Sequence, residues 1–538
     1  MMKKNIKYLA VLALGLIACE PEFDNPIDES GVYKSGEADF SKYIALGNSL
    51  TAGFADGALY ITGQENSYPN ILSKQFAFAG GGDFTQPLMA DNAGGLLLNG
   101  NAITDLAGVN QFPNRRVLVF NEDGTPLGPE IYTGASATTE VSNNIGSSFN
   151  NMGVPGAKSY HLVAPGYGNV AGIATGAANP YFARFASSAT ANVLNDAVVQ
   201  NPTFFSLWIG NNDILSYATS GGVGEDRNTA ADMGIEAHGS NDITNSNVFA
   251  GVYTQLVDGL MANGAKGVLL SLPSVTSIPF FTTVPYAPLS PLDASFGPQI
   301  PTLNETYAGL NLAFAGIGVP ERAIEFSTTG ASAVVIKDES LEDKTAQLTA
   351  ALTPLLGAVQ AGLFGAQYGQ ARQATAEDLL VLTSSSIIGQ INEERFAELV
   401  GLGLSQEDAG ELSVNGVTFP LEDKWVLTPD EQTAIENART AYNETIKGLT
   451  IANGLAYYDA AAGLAQAANG GIPIDGGIVT SEFVSGGGFS LDGVHPTPRG
   501  HAIITNGVIE AIEKTYGASL PSVNPSSFGT VTLSNDVN

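Results

Sequence analysis

Four short apolar runs, at residues 43–46, 204–209, 267–271 and 454–458, alternate with helix-patterned stretches along 538 residues. The runs are continuous rather than alternating, and turn or polar residues follow most of them. That pattern belongs to strands buried on both faces, as in a parallel sheet covered by helices. Helical periodicity is read near 67–77, 187–200, 247–263, 303–316, 429–448 and 498–515. Ser67-Tyr-Pro-Asn and Thr428-Pro-Asp-Glu supply amino-terminal signals, with a cap residue, an early proline and, in the second, acids in the first turn. The alternation predicts an α/β fold with a mostly parallel sheet. Length alone would allow two or three domains. The pattern points instead to one domain over 41–516, with insertions at about 79–150, 217–246 and 319–427 and a tail at 517–538. Within the last insertion, a helical pattern at 341–364 is broken by Pro354 and Gly357. Its apolar stripe (Leu348, Leu352, Leu355, Val359, Leu363, Phe364) fits either a lid over a lipid-like substrate or ordinary core, and such stripes are more often core.

The amino-terminal segment reads as targeting, not fold. Lys3, Lys4 and Lys7 precede an uncharged apolar stretch from Tyr8 to Ala18, shorter than the ~20 residues a membrane span needs. It closes on Leu16-Ile17-Ala18-Cys19, which resembles a bacterial lipobox. The resemblance implies cleavage before Cys19, lipidation of its thiol and anchoring at the cell envelope, on the outer membrane. Residues 1–18 are then signal peptide and 19–40 a polar tether. The acids just after Cys19 are similar to export signals of surface lipoproteins. Cys19 is the only cysteine, so no intrachain disulfide can form. Losing the signal removes three lysines and no acid, taking the formal charge from -31 to -34. Such a surface argues against nucleic-acid binding and against electrostatic docking on anionic lipid.

Chemistry is concentrated in four segments. Tyr43-Ile-Ala-Leu-Gly47-Asn48-Ser49-Leu50 reads as a strand running into a turn that holds up a hydroxyl. Asn151-Met-Gly153-Val-Pro-Gly156-Ala is a tight glycine turn whose N–H groups can face a ligand. Phe205-Ser-Leu-Trp208-Ile-Gly210-Asn211-Asn212-Asp213 is an apolar strand ending in amides, where open α/β sheets place ligand groups. Asp492-Gly-Val-His495-Pro offers an imidazole with a carboxylate three residues earlier, in a chain with four histidines. A serine needs a base to take its proton, and the base needs an orienting group. An oxyanion needs two or three donors, which backbone N–H groups and an Asn amide provide. Trp208 reads as core, Asp213 as a local hydrogen-bonding group, and His161 and His501 as bystanders. Asp56, Asp91 and Asp232 have no metal-ligand spacing.

In this order the four segments resemble the consensus blocks of the SGNH hydrolases, the GDSL-type lipases and esterases. The resemblance implies a flavodoxin-like three-layer α/β/α fold and a carboxylic ester hydrolase without metal or cofactor. It assigns Ser49 as nucleophile, His495 as base and Asp492 as its orienting acid. It also makes the Ser49 and Gly156 N–H groups and the Asn212 amide the oxyanion donors, with Gly153 the alternative glycine. Asn48 stands where the family has Asp, which implies an altered hydrogen bond at the turn. Substrates implied are acyl or acetyl esters of small molecules, lipids or glycans. Two other readings remain open: a polysaccharide O-acetylesterase, and a non-catalytic surface lipoprotein that binds glycans or lipids.

Overall fold

The computed structural model describes residues 32–146, 148–231 and 234–537. Cys19, the signal segment and Asp232 lie outside them. The centre is a five-stranded parallel sheet: β1 (Tyr43–Gly47), β2 (Asn151–Gly153), β3 (Phe204–Trp208), β4 (Lys266–Leu270) and β5 (Ala456–Tyr458). Their spatial order is β2-β1-β3-β4-β5, with every neighbouring pair parallel. This order is compatible with a flavodoxin-like sheet, and it reverses between β1 and β3, where such sheets open a crevice at their carboxyl ends. All five strands deliver their carboxyl ends to one edge. Four of them match the apolar runs. The fifth, β2, occupies the start of the segment read as a glycine turn, and three residues are too few to show a period.

The helices that matter are α1 (Ser49–Ala52), α2 (Tyr68–Phe76), α3 (Asn212–Thr219), α4 (Ser246–Met261), α5 (Ile300–Gly316), α6 (Thr345–Leu356), α7 (Ala358–Tyr368), α8 (Pro429–Asn453), α9 (Ala460–Ala468) and α10 (Pro498–Tyr516). On one face α2 and α10 cover the sheet. Phe204 there meets Phe76 and Tyr516 edge-on, at ring-centroid distances of 5.4 and 6.0 Å. Alternate residues such as Phe205 and Leu207 turn to the other face, where α4 and α8 pack and Phe249 stacks on Tyr442 at 4.1 Å. The stretch read as helix over 187–200 is helical only at Val193–Val198, capped by the Asn192 side chain. Among the described residues no helix is long and apolar enough to cross a membrane.

The segment read as a tether up to residue 40 joins the fold earlier. Phe40 is 1% exposed and stacks on Phe76 at 3.9 Å, while Lys34 pairs with Ser519. Burying an aromatic ring outweighs the local polarity that made this stretch look like a linker. The described part of the tail also packs on the fold, with Leu118 N–H donating to Thr532 O at 2.9 Å and Arg499 Nε to Phe528 O at 3.2 Å.

Two further cores flank the sheet. One spans Val284 to Val426, so it starts ahead of residue 319 and takes in α5, α6 and α7. Gly357, with φ +76°, separates α6 from α7. The stripe in this region divides: Leu348 and Leu352 are buried, whereas Leu355 and Val359 face outward. The other core joins Met89, Leu96, Ile103 and Val141 of the 79–150 insertion to Ala52 of α1. That insertion therefore packs directly on the helix that carries Ser49.

Candidate active site

Ser49 is the first residue of α1, two residues past the end of β1, and 6% exposed. The turn is possible because two glycines meet there. A Cβ on Gly47 would lie 2.4 Å from Trp208 O, and one on Gly153 would lie 2.3 Å from Ala52 N. Without those atoms α1 folds back over the strand ends. Asn48 caps it, its Oδ1 accepting from Leu50 N–H at 3.1 Å. Its Nδ2 donates to Asn211 Oδ1 at 3.3 Å and ties the ends of β1 and β3 together. An aspartate has no such donor.

His495 and Asp492 sit on the loop before α10. His495 Nε2 lies 2.9 Å from Ser49 Oγ, and Nδ1 lies 2.9 Å from Asp492 Oδ2. Asp492 Oδ1 accepts from Val494 N–H and His495 N–H at 2.9 Å and from Ser490 Oγ at 3.0 Å. Gly57 N–H donates to Oδ2 at 2.9 Å. Burial opposes charge on this carboxyl, but the His495 imidazole and these hydrogen bonds outweigh it and hold it well below the usual carboxylate range. With Oδ2 a fixed acceptor, the hydrogen of the neutral ring belongs on Nδ1, leaving Nε2 as acceptor for Ser49. Phe54 packs on the imidazole with centroids 4.8 Å apart.

The second and third segments meet beside this relay. Val154 N–H donates to Gly47 O at 2.9 Å, and Asn212 Nδ2 to Ala157 O at 2.9 Å. Gly153 N–H is taken by Asn151 Oδ1 at 3.0 Å. Gly156, with φ +79°, is exposed, and its N–H has no acceptor among the described residues. Ser49, Asn212 and His495 line one pocket of ≈ 130 Å³ at the carboxyl edge.

Other candidates take structural parts. Asp213 is fully buried and accepts from Ser159 N–H at 2.8 Å and Ser159 Oγ at 2.6 Å. Trp208 is core, its Nε1 donating to Ser271 O at 3.1 Å, and it also walls the pocket. His161 Nδ1 accepts from Lys158 N–H at 3.0 Å, and burial with the nearby Lys158 charge lowers its pKa to about 4. His501 is buried on α10 beside His495, with neither ring nitrogen partnered among the described residues. Burial, with the His495 charge added, lowers its pKa to about 3. Asp91 accepts from Gly94 and Thr138 N–H groups at 3.0 and 2.6 Å, an ordinary loop brace.

A second, buried carboxylate lies behind the relay at Asp56, weighed from the sequence only as a metal ligand. Asp56 Oδ1 accepts from Leu491 N–H at 2.9 Å, and Oδ2 from Tyr60 OH at 2.8 Å and Arg115 Nη2 at 2.6 Å. Its own N–H donates to Ser490 Oγ at 3.0 Å. Burial pushes its pKa up against the pull of Arg115. The Arg115 guanidinium lies 3.6 Å over the Tyr60 ring. Asp56-Gly57 is a turn signal, and Asp56 has φ +55°. Nothing in the sequence names Arg115, 59 positions away, as its partner.

Fold and site together define an α/β protein with a hydrogen-bonded Ser–His–Asp constellation at the carboxyl edge of a parallel sheet. Comparison with protein-family models, curated proteins and solved structures returns no match.

Two outcomes test this description. Arg115→Met leaves Asp56 buried without its cation, and urea unfolding is expected to show a loss of about 3–5 kcal/mol. The Arg115→Met/Asp56→Leu double variant should regain part of it. Separately, His161 and His501 have folded pKa values below the ~6.5 of an unfolded histidine. The unfolded chain then binds more protons, so their contribution is complete above pH ~6.5 and is lost as pH falls toward 4 and 3. His501→Leu should flatten that decline by on the order of 3 kcal/mol between pH 7 and 4, read from unfolding curves across pH.

Proposed function

We propose that the protein is a serine ester hydrolase of SGNH type, with a flavodoxin-like three-layer fold. One observation carries the reading: the relay Ser49 Oγ–His495 Nε2 and His495 Nδ1–Asp492 Oδ2, each at 2.9 Å. His495 takes the Ser49 proton as Oγ bonds to the ester carbonyl carbon. The charge that develops on the carbonyl oxygen falls to the Ser49 N–H, the Gly156 N–H and the Asn212 amide. The bond from that carbon to the alcohol oxygen then breaks, and His495 returns its proton to the departing alcohol. Water, deprotonated by the same ring, next bonds to the acyl carbon, the carbon–Oγ bond breaks, and the ring returns the proton to Ser49 Oγ as the acid leaves. Asp492 stays ionised through the cycle and stabilises the imidazolium. Gly156 is preferred to Gly153 as donor because, among the described residues, its N–H has no acceptor whereas that of Gly153 is taken by Asn151.

The test combines labelling and kinetics. A fluorophosphonate is expected to label the wild type and not Ser49→Ala, and equal labelling of both would refute the assignment. Asn212→Ala should lose ~10²–10³ in kcat with little change in KM. An unchanged kcat would remove Asn212 from the oxyanion site.

The lipobox resemblance adds that this chemistry sits at the cell envelope, with a lipid on Cys19. Metabolic labelling with a palmitate analogue should mark the wild type and not Cys19→Ala. Label retained by Cys19→Ala would refute the anchor.

A further inference from the structure

We infer that the pocket beside Ser49 is an acyl-chain slot that takes a linear aliphatic acid of about six carbons, an assignment that rests on the ester-hydrolase reading. Its walls are hydrocarbon from four separate elements: Leu215 of α3, Leu464 and Ala467 of α9, Ile503 and Ile504 of α10, and Val479 of the hairpin Ile472–Val479. Trp208 contributes its ring, with the indole N–H turned to Ser271 O.

Several of the polar groups that line this pocket are engaged elsewhere. Asn211 Oδ1 accepts from Asn48, Asn212 Nδ2 donates to Ala157 O, and Ser274 Oγ lies 3.0 Å from Thr276 Oγ1. Sugar hydroxyls entering the slot would lose water and gain few partners, whereas methylenes lose nothing. Ser49 and Asn212, which hold the acyl carbon and its oxygen in the reaction, both line the pocket. His495, which serves the departing alcohol, lines it as well, so the acyl assignment is read against the alcohol side by the matched alkyl acetates below.

Size sets the length. The pocket measures ≈ 130 Å³. An apolar protein cavity of about 150 Å³ holds the six carbons of benzene. A long fatty chain exceeds this, and an acetyl group leaves most of the apolar wall unused.

The experiment measures kcat/KM of the full-length protein on p-nitrophenyl esters from acetate to palmitate, and on a matched series of alkyl acetates. In the acyl series the value is expected to rise roughly fourfold per methylene, the equivalent of about 0.8 kcal/mol. That makes hexanoate better than acetate by on the order of 10²-fold, with palmitate below hexanoate. Ala467→Phe and Ile503→Trp, which fill the slot from different helices, should each lower the hexanoate-to-acetate ratio by about tenfold or more. Because the ratio is taken within one preparation, the fraction of folded protein cancels. Hydrolysis with a flat or acetate-favouring profile, length dependence confined to the alkyl acetates, or ratios unmoved in both variants would overturn the slot and leave the hydrolase reading intact. Absence of hydrolysis on every ester, with no fluorophosphonate labelling, would overturn both.

Discussion

The close approach of Gly47 to Trp208 and of Gly153 to α1 is the constraint on which the site depends. Strands β1, β2 and β3 end in register there, with Gly47 paired to Gly153 on one side and to Trp208 on the other. A side chain on either glycine would overlap backbone atoms of its neighbours. Their absence lets a four-residue helix turn back directly over the sheet edge. Ser49 is held by that geometry, and the Asn48–Asn211 bond then locks the edge of β1 to that of β3. Everything else at the site is positioned relative to this junction.

The opposite side of the relay is held by buried charge. Two carboxylates lie back to back: Asp492 faces the imidazole, and Asp56 faces Arg115 while bonding the backbone of the Asp492 loop. Backbone donors and the imidazole draw the Asp492 pKa down; burial pushes that of Asp56 up. Arg115 belongs to the 79–150 insertion, and Leu118 of the same insertion bonds the carboxyl-terminal segment through Thr532. A long insertion thereby braces the base from behind while its apolar residues pack on α1. Its glycine- and asparagine-rich composition suits close turns and side-chain-to-backbone bonds and gives no hint of this role.

Much of the fold was legible because its signals are local. Continuous apolar runs mark strands buried on both faces, and Thr428 and Glu431 do form the capping box that their spacing predicts. Strand β2 escaped because three residues carry no period. The stripe at 348–364 was ambiguous for the opposite reason. Its periodicity is real, yet only its first turns are covered: Leu355, still within α6, and Val359, past the break at Gly357, both turn outward.

The sequence by itself determined the α/β alternation and the residue types at four points where chemistry is possible, since each follows from neighbours a few positions apart. Tertiary structure decided which groups meet. It selected His495 over three other histidines and joined Asp56 to Arg115. It also assembled an apolar pocket from α3, α9, α10 and a hairpin that share no motif. These outcomes depend on contacts between residues tens to hundreds of positions apart. Only the common edge of a parallel sheet, where separate loops converge, brings them within hydrogen-bonding distance.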